Sequence, residues 1–168
     1  ENWGTLWIWH SMGLLIAGLL TWQMDYLGIT QIWMYVAVWT LGLGAWAGVF
    51  WKLRQRMGPV TFIERQIAHV WGASMVAIAM LFPIERLMEF EVLALSPLLG
   101  VISAMVFIIK ASMLSGVFYI QAAALLITAL LMAIQPDYAH LIFGIVSAAC
   151  FFIPGFKYSR RRLTEPAT

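Results

Sequence analysis

Three histidines are the side chains of this sequence whose chemistry is most suggestive. His10 and His69 each stand a few residues inside a long apolar segment, where an ionisable side chain is a functional candidate. At about 1.5 Å per helical residue, the two would lie at a similar depth in a membrane. A facing pair of histidines can hold haem, so one hypothesis is a membrane redox domain that binds haem or quinone through them. The alternative is that each is a neutral histidine hydrogen-bonded to a neighbouring helix, with His140 at the opposite interface.

A polar group at the start of the third apolar segment is the second candidate site. It comprises Glu64, Arg65, Gln66 and His69. Arg65 and His69 are four residues apart and share a helix face. Glu64, in the first helical turn, complements the helix dipole and is placed to pair with Arg56 or Lys52. The group predicts either a proton-linked or lipid-headgroup site in the inner leaflet, or a tethered helix start, and we favour the tethered helix start.

The chain around these candidates is far more apolar than a soluble domain. It has 168 residues, of which 62% are hydrophobic and 11% charged, whereas an average soluble domain is about half apolar and a quarter charged. A membrane span needs about 20 apolar residues. The pattern predicts an all-α, polytopic membrane domain, a six-helix bundle with short connections. Its spans are expected at about 3–24, 32–51, 60–82, 92–109, 113–134 and 138–156, followed by a basic tail over 157–168.

Local signals refine these elements. Pro83 is expected to end the third helix, and residues 110–112 are expected to form the tightest turn. The spacing of Gly44 and Gly48 predicts a close helix approach, either within the chain or between two copies of it, and we favour the contact within the chain. Gln121, midway along the fifth span, predicts a hydrogen bond to a neighbouring helix.

Two tryptophans, Trp39 and Trp46, fall well inside the second span. A pocket for a cofactor or lipid is one interpretation of them. Because aromatic side chains are large fillers at any helix contact, we expect plain packing instead.

The distribution of charge predicts the orientation, because short loops rich in Lys and Arg stay in the cytoplasm. With six spans, one side holds Lys52, Arg54, Arg56, Arg65, Lys110, Lys157, Arg160, Arg161 and Arg162. The other side holds Arg86 with Asp25, Glu85, Glu89, Glu91 and Asp137. We therefore expect a multi-pass protein of the cytoplasmic membrane with both termini in the cytoplasm.

The sequence offers little for a self-contained active site. It has no phosphate-binding glycine loop, dinucleotide fingerprint or zinc-protease motif, and Cys150 is its only cysteine. A small transporter is a further hypothesis, but no pair of broken helices or midplane acid supports it. Because the chain opens on Glu1, we expect a fragment of a longer protein, with no catalytic, cofactor or metal site of its own.

Four stretches of the sequence carry a resemblance to a known group of proteins. They cover residues 50–51, 56–71, 110–119 and 151–158. In these stretches the chain resembles the C-terminal multi-pass membrane region of serine/threonine protein kinases from planctomycete-type bacteria. The kinase catalytic loop, the Asp-Phe-Gly motif and the strand lysine are absent from this sequence, so no catalytic residue is carried over.

The resemblance implies that this chain anchors a kinase domain, located upstream of Glu1, to the membrane. A role in sensing a signal is a further hypothesis. ATP and Mg²⁺ would then belong to that upstream domain. The expected partners are the lipid bilayer and the upstream domain. A second copy of this chain or another membrane protein is a further possible partner, and nucleic acid is not expected.

Overall fold

The apolar runs fold as helices, since a helix satisfies its own backbone hydrogen bonds where lipid offers none. The computed structural model describes residues 3–55 and 61–164, without the side chains of residues 3, 43, 50, 51, 53–55 and 158–164. Over these ranges the chain is all-helical and has no strand, as the sequence predicts. The helices are α1 (Trp3–Tyr26), α2 (Ile32–Gln55), α3 (Phe62–Leu87), α4 (Pro97–Met113), α5 (Phe118–Ile134) and α6 (Ala139–Thr164).

Four stretches in the described part of the chain are long and apolar enough to cross a membrane. They are Gly4–Tyr26, Ile32–Val49, Phe62–Leu87 and Pro136–Lys157. The remaining two helices, α4 and α5, are equally apolar but have only 17 residues each. Length and composition therefore indicate a membrane protein with at least four candidate spans.

The helices pack in chain order as a ring. Each helix touches the next one along the chain, and α6 returns to pack along α1 in the most extensive contact of the bundle. The pairs α4–α5 and α5–α6 are also extensive, whereas α2 touches α1 and α3 only sparingly. The core accordingly lies among α1, α4, α5 and α6, and α2 is the least embedded helix.

Glycine allows the close approach of α1 and α6. A Cβ added to Gly18 would lie 2.7 Å from the Cα of Gly144 and 2.9 Å from the carbonyl oxygen of His140. No atom lies within 4 Å of a Cβ built on Gly44 or Gly48. The predicted approach within the chain is therefore wrong for Gly44 and Gly48, because no helix in the described part of the chain packs against this face of α2.

Several helix boundaries also differ from the sequence prediction: α5 begins at Phe118 instead of residue 113, and α6 continues to Thr164, into the expected basic tail. Pro83 does not end α3, which continues to Leu87. A proline removes only one backbone hydrogen bond, and membrane-type helices tolerate this loss. Residues 110–112 are not a turn but the end of α4, and the turn lies at 114–117. The charge on Lys110 suggested a loop, but its buried side chain lets the helix continue.

The start of α4 is set by a carboxylate from α3. Glu85, expected between the third and fourth spans, is buried within α3. Its oxygens accept the backbone N–H groups of Leu93 at 3.2 Å and Leu95 at 2.8 Å. These bonds hold residues 92–96 in turns, and Pro97 then opens α4 in the first-turn position that proline favours. The helix therefore begins at residue 97 instead of 92.

The glycine contact predicts a directional effect on stability. Gly18→Ala should lower the free energy of unfolding by about 1–3 kcal/mol, because the new methyl group meets backbone and not a movable side chain. Gly44→Ala is the matched control, and it should leave stability unchanged or raise it by up to about 1 kcal/mol through helix propensity. Thermal unfolding in detergent micelles, followed by circular dichroism, measures both; equal behaviour of the two variants would contradict the packing.

Candidate functional site

His10 lies at a junction of four helices. Its ring on α1 stands 5.4 Å from Trp46 of α2, 5.6 Å from Trp71 of α3 and 4.5 Å from Phe151 of α6, measured between ring centroids. Its Nε2 is buried and has no hydrogen-bond partner among the residues that the structure describes. A buried polar atom without a partner is costly, so His10 is a candidate contact for a ligand.

The structure does not bring His69 to His10. His69 is exposed on α3, and its Nδ1 lies 2.7 Å from the carbonyl oxygen of Arg65 in the preceding turn. Trp71, two residues on, faces His10, and two residues correspond to about 200° around a helix. The two histidines therefore do not face one another as ligands of one haem would.

The polar group at the start of α3 forms a helix cap. The N–H and the hydroxyl of Thr61 donate to Glu64 Oε2 at 2.8 and 3.0 Å, and the N–H of Glu64 donates to Thr61 Oγ1 at 3.3 Å. This reciprocal pair is a capping box. Arg65 and Gln66 are exposed beside it. The arrangement agrees with a tethered helix start, and the Thr-x-x-Glu spacing is the sequence signal that points to it.

Lys110 lies inside the bundle, not at an interface. Its side chain is 4% exposed, and its Nζ lies 4.7–5.9 Å from the centroids of five aromatic rings. These rings, which we call the aromatic cage, belong to Trp7, Trp71, Phe107, Phe118 and Phe151. The cage thus gathers side chains from α1, α3, α4, α5 and α6 around one ammonium group.

The cage is a physically suitable place for a cation. Ring faces carry negative electrostatic potential and attract an ammonium group, by about 2 kcal/mol or more where water is excluded. Lys110 also stands in the last turn of α4, where the helix dipole favours positive charge. Sequence reasoning missed this role because only Phe107 is close to Lys110 along the chain; the other rings arrive from distant helices.

His10 packs directly against the aromatic cage. Two cage members, Trp71 and Phe151, pack against the imidazole and also face the Lys110 ammonium group. His10 and the Lys110 ammonium group are therefore connected through two shared rings. Cys150, adjacent to Phe151, is buried and unpaired as a thiol.

Gln121 makes the predicted contact between helices. Its Nε2 donates to the carbonyl oxygen of Cys150 on α6 at 2.8 Å, which confirms the expected interhelical hydrogen bond. The Oε1 of the same amide is buried and finds no partner in the described ranges. The bond ties α5 to α6 at the level of the aromatic cage residue Phe151.

At the other end of the bundle, His140 is buried among side chains near the start of α6. It is 3% exposed, and its Nε2 lies 3.1 Å from the hydroxyl oxygen of Ser96. The Ser96 hydroxyl donates to the carbonyl oxygen of Leu93. Because a hydroxyl has one hydrogen to give, His140 must be the donor to Ser96.

This serine and histidine pair is structural rather than catalytic. A histidine that activates a serine must accept the hydroxyl proton, whereas here the proton of Ser96 goes to Leu93. The adjoining cavity of about 20 Å³ has room for about one water molecule. The pair therefore fastens the 92–96 turns to α6, with Glu85 fastening them to α3.

The residues predicted to set the orientation are only partly described. Lys52 and Lys157 are exposed. Arg56 lies outside the described residues, and the side chains of Arg54, Arg160, Arg161 and Arg162 are likewise outside them.

Among the described residues, no three His, Cys, Asp or Glu side chains are grouped so that they could hold a metal ion.

No protein-family model, curated protein or solved structure gave a match to this chain.

The aromatic cage predicts an effect that depends on the sign of the charge. Lys110→Met should change the free energy of unfolding by less than about 2 kcal/mol, because loss of the cation attraction is offset by removal of a buried charge. Lys110→Glu should cost at least about 2 kcal/mol more, since a carboxylate meets negative ring faces and the negative helix end. Thermal unfolding in micelles, with exposed Lys157→Glu as control, measures the difference; equal losses for the two Lys110 variants would contradict the cage.

Proposed function

We propose that this chain is a six-span membrane domain that anchors a cytoplasmic enzyme domain of the same polypeptide. The observation that carries the proposal is the apolar outer surface of the two short helices. On α5, Ile120, Ile127, Leu130 and Ile134 are 59–73% exposed, and the helix has no charged residue. Such a face is compatible with lipid and unfavourable in water.

Helix length supports the crossing of α4 and α5. At about 1.5 Å per residue, 17 residues span about 26 Å, near the lower limit for a membrane helix. The only charged side chain of α4, Lys110, points into the aromatic cage. Its outer residues, which include Met105 and Ile108, are apolar and exposed. Both helices thus meet the requirements of a span.

The orientation of the termini follows from parity together with positive charge. Because α4 and α5 form a closely packed hairpin, both cross or neither does, and the number of spans is even in either case. The two ends of the chain then share one side. Lys52, Arg65 and Lys157 on that side, with the neighbouring arginines, favour the cytoplasm.

The kinase resemblance indicates which kind of domain is anchored. A kinase domain preceding Glu1 would lie in the cytoplasm, where ATP and Mg²⁺ are available. The connections on the opposite side, 27–31, 88–96 and 135–138, are short, which leaves no room there for a folded sensor. A regulatory signal would therefore come from the membrane itself or from a partner within it.

Cysteine labelling at Ser115 tests the six-span arrangement. Ser115 is exposed in the α4–α5 turn, and in a Cys150→Ala background Ser115→Cys should be modified only after the cytoplasmic side is made accessible. Asp137→Cys, in the opposite turn, is the matched control and should react with an impermeant maleimide added outside intact cells. Labelling of Ser115→Cys from outside would mean that α4 and α5 do not cross.

The anchoring role is tested in the parent protein. Removal of residues 1–168 should release the upstream domain from the membrane, measured by fractionation, and abolish any membrane-dependent change in its phosphorylation of a generic substrate. Replacement of the segment by an unrelated six-span domain is the control for attachment alone. Continued membrane attachment of the truncated protein would contradict the anchor.

A further inference from the structure

A cavity lies between α1 and α2, beside His10. Its volume is about 190 Å³, and we refer to it as the α1–α2 cavity. Its walls include His10, Gly13, Trp39, Gly42 and Trp46. Ile16 and Leu20, which also line it, are 54% and 44% exposed. The cavity therefore opens to the outside of the bundle at a depth that lipid would surround.

Glycine and loose packing create this space. A Cβ built on Gly13 or Gly42 would have no atom within 4 Å, so both backbones face open space. The weak contacts of α2 with its neighbours leave the cavity unfilled by other helices. Van der Waals contacts across such a space are missing, and a molecule that fits would restore them.

The lining indicates what kind of molecule fits. Trp39 and Trp46 are seven residues apart, which places them on one face of α2, two turns from each other. Their indole rings offer flat surfaces to a planar ligand. An apolar cavity of about 150 Å³ accepts a benzene ring, so this one takes a single substituted ring. A haem, several times larger, does not fit.

His10 supplies the polar contact. It lines the cavity, and its Nε2 lacks a hydrogen-bond partner among the described residues. Rotation about the bond to the ring, which is soft for histidine, would bring a nitrogen toward the open space. A neutral imidazole both donates and accepts, so it matches a ring carbonyl or a ring hydroxyl.

We propose that the α1–α2 cavity binds the head ring of a membrane-dissolved quinone or quinol, with a ring oxygen hydrogen-bonded to His10 and the tail in the lipid. The proposal rests on the proposed function only in placing the cavity within the membrane. A simple acyl chain would leave His10 without a partner and would make no use of flat indole faces. Binding of the ring involves no redox step.

Ring contacts connect the α1–α2 cavity to the other helices of the bundle. His10 packs on Trp71 and Phe151, which hold the Lys110 ammonium group. A ligand that fixes His10 therefore acts on α3 and α6 through rings in direct contact. It would also tie α2 to α1, which are otherwise loosely packed.

A photoreactive azido-quinone tests the proposal on the chain of residues 1–168 in lipid nanodiscs. We expect saturable labelling on α1 and α2, mapped by mass spectrometry, and competition by decylubiquinone but not by palmitate. Gly42→Leu, which fills the cavity, should weaken binding at least about tenfold, as expected for loss of a buried ring site. His10→Phe keeps the ring packing and should weaken binding about 3–10-fold through the lost hydrogen bond.

Gly48→Leu is the matched control, since it lies on the same helix, faces open space and does not line the cavity. It should bind like the unmodified chain, and circular dichroism should show the same helix content for all variants. Labelling spread over all helices, unchanged binding in Gly42→Leu, or equal competition by palmitate would overturn the proposal. The Ser115 labelling is independent of these outcomes, so failure of the quinone site and failure of the six-span arrangement are distinguishable.

Discussion

The backbone contact between α1 and α6 at Gly18 and Gly144 is the constraint on which the rest of the bundle depends. It joins the first and last helices, so that a chain of neighbours in sequence becomes a closed ring. The same approach brings Phe151 of α6 against His10 of α1. A larger residue at either glycine would separate these helices and, with them, the aromatic groups that α6 presents to the interior.

Polar groups within this ring are few and each fastens one part of the structure. Glu85 and His140 hold the 92–96 turns from two sides, and Gln121 ties α5 to α6. Lys110 uses ring faces where a soluble protein would use a carboxylate. An unpaired polar atom is costly in an apolar interior, and the described residues hold two such side-chain atoms, His10 Nε2 and Gln121 Oε1. Of these two, only His10 lines the α1–α2 cavity.

The sequence predicts the helices well because their signal is local. Apolar runs give the six helices, and the positions of Gln121 and Glu64 anticipate an interhelical bond and a helix start. Features that depend on distant segments are not predictable in this way. From its charge, Lys110 is predicted to lie in a loop, whereas in the structure rings from four other helices surround it. His69 matches His10 in depth, but only the rotation of α3 about its axis shows that it faces outward.

The asymmetry of packing around α2 connects these features. Four helices, α1, α4, α5 and α6, share an extensive core, while α2 makes few contacts and borders the α1–α2 cavity. Local opening is easiest where buried contacts are fewest. The C-terminal end of α2 leads directly into the basic segment before α3, which lies on the side proposed to face the cytoplasm. The helix with the sparsest packing is therefore also the one that borders the cavity and leads to that basic segment.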